Sequence, residues 1–69
     1  MTEYVVVYET DGDGWSAYLP DVPGCVAAGR TREETEQAIR VAVSMHVEGL
    51  RDAGLAVPPA TTVAGIVAA

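Results

Sequence analysis

A chain of 69 residues with a formal net charge of −6 excludes several classes of protein before any motif is considered. Its ten acidic side chains face four arginines and no lysine, so it lacks the clustered positive charge that binds a nucleic-acid backbone. Its one cysteine, Cys25, excludes an internal disulfide. No apolar run approaches the roughly 18–20 residues of a membrane helix, and we expect no membrane association.

The size of the chain predicts one small domain, residues 1–69, that gains stability from a partner. A core of this size rarely contributes more than about 3–5 kcal/mol. Because no Cys/His cluster offers a structural metal, we expect no metal or cofactor and at least a homodimer. The first residues lack a basic stretch followed by an apolar run, which predicts no signal peptide and a cytoplasmic protein.

Residues 3–9 and 15–19 predict a β-hairpin, because both are rich in valine and aromatic residues and an Asp-Gly pair lies between them. A two-residue loop would pair Tyr8 with Trp15, whereas a four-residue loop would pair Tyr8 with Ala17. Either register places the same side chains on one face of the sheet, since side chains alternate with a period of two. The residues of this face are Tyr4, Val6, Tyr8, Trp15, Ala17 and Leu19.

The opposite face of the hairpin is apolar in its middle, where Val5, Val7 and Tyr18 lie. A sheet with apolar residues on both faces and one long helix to cover it leaves apolar surface for a partner. Tyr18 is the better aromatic candidate for a contact, because its ring is apolar and its hydroxyl is polar. Trp15 is interpreted as a core residue or as half of a cross-strand aromatic pair.

A corner with the sequence Pro-Asp-Val-Pro-Gly follows the hairpin over residues 20–24. Its prolines fix φ near −65°, and Gly24 admits a positive φ that the corner is expected to need. A short third strand over residues 25–28 and a break at Gly29 come next. These features are interpreted as a rigid scaffold.

A long helix is predicted from about Arg32 to Ala53. Thr31 and Glu34 have the spacing of a capping box, in which each side chain accepts the other residue's amide. Gly54 is expected to end the helix in a left-handed conformation. The predicted inward stripe is Thr35, Ala38, Ile39, Ala42, Met45, His46, Gly49 and Leu50. Residues 63–67 predict a short last strand, parallel to an earlier one.

Three catalytic or metal-binding interpretations are weaker than structural ones. The Asp-Gly-Asp-Gly run resembles the start of a calcium loop, but Val22 occupies the position of the required glutamate. Cys25 and His46 lack a third orienting group, and a cysteine in an apolar strand behaves as a small hydrophobe. The carboxylates are spread over strand ends, turns and a helix cap, so no two-metal site is expected. The sequence therefore predicts a protein that is not an enzyme.

The run GWSAYLPDVPGC, with the later Gly29-Arg30-Thr31 and Glu33-Glu34, resembles the HicB family of type II antitoxins. The resemblance covers residues 4–59. The residues of the motif are Gly14, Pro20, Asp21, Pro23, Gly24, Cys25, Gly29, Thr31 and Glu34. The resemblance implies an α+β fold of order β-β-β-α-β. This fold has a three-stranded antiparallel sheet, one long helix and a short C-terminal strand. This is a reduced relative of the ribonuclease H fold without its catalytic carboxylates.

The resemblance also implies a bacterial antitoxin that forms homodimers or higher oligomers and neutralises a small, basic, mRNA-cleaving toxin of the HicA type. An acidic antitoxin suits the basic RNA-binding face of such a toxin. We expect partner contacts at Tyr18, Asp21, Val5 and Val7. No direct DNA binding is expected, since no basic tail or second domain follows the motif. The alternative is an orphan HicB-like oligomer that regulates, or binds a ligand or another protein, without a toxin.

Overall fold

The computed structural model describes residues 2–69 and has three strands followed by one helix. The elements are β1 (Val7–Thr10), β2 (Trp15–Tyr18), β3 (Val26–Gly29) and α1 (Arg32–Asp52). Both strand pairs are antiparallel, and the order in the sheet is β1-β2-β3. The predicted α+β class is confirmed. Within the described residues, no helix is long and apolar enough to cross a membrane.

The turn between β1 and β2 has four residues, so the longer of the two predicted loops is confirmed. Tyr8 lies opposite Ala17, and Thr10 lies opposite Trp15. The Asp11 carboxylate accepts the amides of Asp13 at 3.0 Å and Gly14 at 3.3 Å. These two hydrogen bonds hold the pKa of Asp11 below its ordinary value. The carboxylate at the first position of the calcium-loop pattern therefore stabilises the hairpin turn.

The core lies between the sheet and α1, on the face predicted from the alternation of the strands. Its buried side chains are Ala17, Leu19, Val22, Cys25 and Ile39. Partly buried residues that pack against this core are Tyr4, Val6, Tyr8, Ala27, Ala42 and Val43. Trp15 is on the same strand but remains half-buried at its end, outside the core cluster.

The start of α1 is capped by Thr31, whose hydroxyl accepts the amide of Glu34 at 3.1 Å as predicted. The prediction that the Glu34 side chain accepts the amide of Thr31 is wrong. The Glu34 carboxylate instead accepts the amide of Arg30 at 3.0 Å, because its side chain reaches one residue further back. Two main-chain donors still gain acceptors, one in the first turn of the helix and one just before it.

The first turn of α1 lies so close to β3 that only glycine fits at position 29. A Cβ built on Gly29 would stand 2.8 Å from Thr35 Oγ1 and 3.0 Å from the Thr35 amide nitrogen. Thr35 is fully buried, and its hydroxyl donates to the Thr31 carbonyl at 2.8 Å. The break predicted at Gly29 is wrong, because Gly29 is the last residue of β3, but glycine is needed there for the close approach of the helix.

The face of α1 that packs on the sheet is centred closer to Val43 than the predicted stripe is. Met45 was expected inside and is 66% exposed, whereas Val43 packs against the core. Buried Thr35 and Ile39 are four residues apart, and continuing that step leads to Val43. The predicted end of α1 is confirmed: after the cap residue Ala53, Gly54 takes φ 70°.

The predicted last strand over residues 63–67 is not present in this chain. Val63, Ile66 and Val67 are 89%, 103% and 91% exposed, and no strand pairing involves them. An apolar run predicts that a segment will be covered, but a strand also needs a neighbouring strand with free main-chain groups. In the described chain, no such neighbour lies along this segment.

Replacing Gly24 with Val is expected to lower the free energy of unfolding by at least about 1–2 kcal/mol, because a side chain is strained in the left-handed region. Gly24 has φ 83°, and its position is otherwise open, with no atom within 4 Å of a built Cβ. Chemical denaturation would measure the loss. Gly49→Ala is the control: it also has open space but lies within α1, where alanine should stabilise by about 0.5–1 kcal/mol. Equal stability of the Gly24 variant and the wild type would contradict the assignment.

Candidate partner-binding site

An apolar row crosses the face of the sheet that α1 does not cover. Val7 in β1 lies opposite Tyr18 in β2, which in turn lies opposite Val26 in β3. Tyr18 is 40% exposed and Val26 is 66% exposed, so the row is open to solvent. We call Val5, Val7, Tyr18 and Val26 the open row, since Val5 lies on this face by alternation along the chain.

The structure brings three of the four predicted contact residues, Val5, Val7 and Tyr18, onto this one face. It adds Val26, which the sequence did not single out. The pairing of β3 with β2 was needed to place Val26 beside Tyr18, and no local pattern in residues 25–28 fixes that register. A run of apolar side chains across three strands, half-buried at Val7 and exposed at Tyr18 and Val26, is the kind of surface that a partner covers.

The charged side chains of the three strands and of the hairpin turn are all acidic. Glu9 is the neighbour of Ser16 in the next row of the same face. Glu9, Asp11 and Asp13 line a shallow depression of about 640 Å³ at the hairpin end of the sheet, next to Trp15. None of the four arginines lies in β1, β2 or β3. The apolar row is therefore flanked by carboxylates without a cation among its strands.

Arg30 directly follows β3, the other three arginines lie in α1, and two of those three have partners. The guanidinium of Arg32 lies over the Tyr8 ring, 5.0 Å from its centroid. Arg40 forms an exposed ion pair with Glu36 at 3.1 Å, one helical turn apart. The strands and their hairpin turn carry only negative charge, whereas α1 carries both signs, so the sheet suits a basic partner.

Asp21, the fourth predicted contact residue, binds another segment of this chain. Its carboxylate accepts the amides of Thr61 and Thr62, both at 2.9 Å. It also accepts their hydroxyl groups, at 2.9 Å from Thr61 and 2.7 Å from Thr62. We call these four hydrogen bonds the Asp21 anchor. They join the corner after β2 to a segment 40 residues later.

The Asp21 anchor has no signal in the sequence on either side of it. The motif places an aspartate in the corner, and Thr61-Thr62 follows two prolines, but nothing local relates them. A second long-range contact lies nearby, since the Tyr4 hydroxyl donates to the Pro58 carbonyl at 2.6 Å. Together these contacts fix residues 58–62 against the end of the sheet where β1 begins.

The Asp21 anchor is expected to persist well into acid. Four hydrogen bonds, those of Thr62 first, lower the pKa of Asp21 to about 2. A lowered pKa stabilises the anchor above the unfolded value, about 3.9, and that stabilisation is lost as pH falls through the folded value. The protection of the Thr61 and Thr62 amides, measured against their intrinsic exchange rates, should therefore persist at pH 4 and be lost only near pH 2.

The matched variants are Asp21→Asn and Asp13→Asn. Asparagine at position 21 retains one acceptor oxygen, so exchange at Thr61 and Thr62 should be fast already at neutral pH. Asp13 lies in the exposed hairpin turn and its change should leave these amides protected. Exchange at the two threonines that does not respond to Asp21→Asn would contradict the anchor.

Cys25 lies in the core, and burial raises the pKa of its thiol. A catalytic cysteine reacts as the thiolate, which a raised pKa disfavours, so this environment is that of a core residue. His46 is half-buried on α1. Within residues 2–69, no three His, Cys, Asp or Glu side chains are grouped so as to hold a metal ion.

Comparison with known proteins gives a consistent result. The chain matches the HicB-like antitoxin of bacterial toxin-antitoxin systems over residues 4–69. It is 40% identical over 47 residues to an uncharacterized 14.9 kDa protein from the rep-hol intergenic region of Haemophilus phage HP1 (strain HP1c1). That alignment covers 68% of this chain and 35% of the phage protein, so the chain spans about a third of the length of this relative.

A solved structure has the same fold. The chain superposes with a TM-score of 0.67 and 30% identity on a chain of the HicA3 and HicB3 toxin-antitoxin complex, covering 86% of this chain and 70% of the other. The strands, the corner and α1 all lie inside the matched range of the family, residues 4–69. This chain therefore belongs to the family of HicB-like antitoxins of bacterial toxin-antitoxin systems.

Proposed function

We propose that this chain is the toxin-binding module of a type II toxin-antitoxin system, and that it neutralises a small, basic, mRNA-cleaving toxin of the HicA type. The family supports an antitoxin role. The solved neighbour is part of a complex between HicA3 and HicB3, which supports a toxin as the partner. The module acts by binding, not by catalysis, in the bacterial cytoplasm where the toxin meets its mRNA.

The observation that carries the proposal is the open row with its acidic border. The centre of a protein interface is typically apolar and depleted of charge, while its rim is polar. Val7, Tyr18 and Val26 form such a centre, and Glu9 and the two turn aspartates form a rim on one side. A toxin that binds RNA carries positive charge, so this rim speeds its association and favours one orientation.

Masking accounts for inhibition without any chemical step. A toxin that cleaves mRNA must place the phosphate backbone on its basic surface. An antitoxin that occupies this surface with carboxylates competes directly with the RNA. The net charge of −6 favours this competition, because ten carboxylates outnumber four arginines.

The test is co-expression with any small, basic, toxin-like protein encoded beside this chain. We expect the toxin alone to arrest growth, co-expression to restore it, and the two proteins to purify together. The affinity should fall as salt concentration rises, because the acidic rim contributes to binding. If co-expression gives no growth rescue and no complex, the proposal is contradicted. That outcome would favour a HicB-like regulatory oligomer without a toxin.

A further inference from the structure

We propose that residues 63–69 are an exchange arm that adds as a strand to the sheet of a second copy of this chain, beside its residues 3–7. The arm of each copy would occupy the other copy's sheet, which gives a closed, two-fold dimer. The proposal rests on the homo-oligomer expected from the small core and does not depend on the toxin. Exchange supplies the strand that the sequence predicted and that the single chain lacks.

The arm is apolar and uncovered. Residues 63–69 contain no charged side chain, and Val63, Ile66 and Val67 are 89%, 103% and 91% exposed. In an extended strand, Val63 and Val67 point to one face and Ile66 points to the other. A strand with apolar residues on both faces is suited to a position where both faces are covered.

The root of the arm is fixed, so its direction is set by the fold. The Asp21 anchor holds Thr61 and Thr62, and the arm begins at the next residue. The Cα radius of gyration is 13.2 Å, whereas a compact chain of this length has about 11 Å. The longest dimension is 41 Å against 18 Å for the shortest. The arm thus extends from an anchored root and does not fold back over the core.

The acceptor is the unpaired strand edge at the beginning of the sheet. β1 is an outer strand, and its pairing with β2 starts only at Val7. Within residues 2–69, residues 3–6 make no main-chain hydrogen bond to main-chain groups. Their amides and carbonyls therefore lie free along an edge, which is the usual template for strand addition.

Both faces beside this edge have apolar surface to receive the arm. On the helix side, a groove of about 390 Å³ lies between the first described residues and α1. Its apolar lining is Tyr4, Val43, Val47 and Val57, and its polar lining is Thr2, Ser44, Glu48 and Arg51. On the opposite side are Val5 and Val7 of the open row. The two faces of the added strand would meet these two surfaces. The arm has no charged side chain and the acceptor stretch has one, Glu3, which limits the repulsion between two copies of charge −6.

The first test compares two charge-insertion variants of the full chain by sedimentation equilibrium. The arm variant is V63D/V67D, and the control is V41D/M45D, which adds the same charge to exposed positions of α1. We expect the wild type and the control to be dimers at micromolar concentration. The dissociation constant of the arm variant should be at least about 100-fold weaker. Equal dimerisation of all three, or a monomeric wild type, would overturn the proposal.

The second test locates the arm. A one-to-one mixture of isotope-labelled and unlabelled chains is examined for contacts between the Ile66 methyl groups and protons of residues 3–7. Contacts that pass between labelled and unlabelled chains support exchange. Contacts found only within one chain would show that the arm folds onto its own sheet. That result would overturn the proposal of exchange. Both tests use the chain without a toxin. A negative result would therefore contradict arm exchange and would leave the proposal of toxin binding unaffected.

Discussion

Tyr18→Arg is expected to weaken the complex with the basic toxin by at least about 100-fold, the loss typical of removing a central interface residue. Tyr18 is the middle residue of the open row, with Val7 and Val26 on its two sides. The change removes the largest apolar side chain of the row and adds a cation that faces a basic partner. Like charges that face each other across an interface both slow association and weaken the complex.

Two further variants make this expectation specific. Met45→Arg adds the same charge at a position 66% exposed on the other side of the molecule, and its affinity should match the wild type. Tyr18→Ala removes the ring without adding charge, so it should lose affinity by a smaller factor. Calorimetric titration gives all four affinities, and circular dichroism checks that each variant is folded. Full affinity of Tyr18→Arg would exclude the open row as the toxin contact.

Ile39→Ala is expected to unfold most of the protein at physiological temperature. Ile39 is 2% exposed, and it is the largest buried side chain that α1 contributes to the core. Truncating such a residue costs about 2–5 kcal/mol through lost burial and the cavity that remains. A core of this size rarely supplies more than about 3–5 kcal/mol in total.

Val41→Ala is the matched control for this second expectation, because Val41 lies on the same helix and is 59% exposed. Its stability should lie within about 0.5 kcal/mol of the wild type. Thermal unfolding of the three proteins at one fixed concentration measures the difference, since oligomers gain stability with concentration. A Tm of Ile39→Ala near that of the wild type would show that the core is held elsewhere.

The parts of the fold that follow from local rules were predictable from the sequence. Alternation assigned Ala17 and Leu19 to the covered face and Tyr18 to the open one, whatever the loop length. The Thr31 cap and the end of α1 at Gly54 depend only on neighbouring residues, and both are confirmed. The corner's positive φ at Gly24 is of the same kind.

The parts that were wrong or missed depend on how distant segments meet. Met45 was assigned inside because a helix stripe several residues wide is ambiguous at its edges, and the contact with β3 decides its centre. The bonds from Asp21 to Thr61 and Thr62 join segments that no local pattern relates. Residues 63–67 have the composition of a strand, but composition does not say which sheet a strand joins.

The candidate site divides in the same way. Val5, Val7 and Tyr18 could be grouped from alternation within one hairpin, so the sequence found most of the open row. Val26 depends on the register between β2 and β3, which only the structure supplies. The acidic border likewise required the shape of the turn to bring Asp11 and Asp13 beside Glu9.

The most direct measurement is the map of backbone amide shifts when unlabelled toxin is added to the isotope-labelled chain. If the open row is the toxin contact, the largest changes will lie at Val7, Tyr18 and Val26 and along the acidic turn. The exposed side of α1, around Val41 and Met45, will change little. Large shifts along that side of the helix with an unchanged sheet would contradict the account.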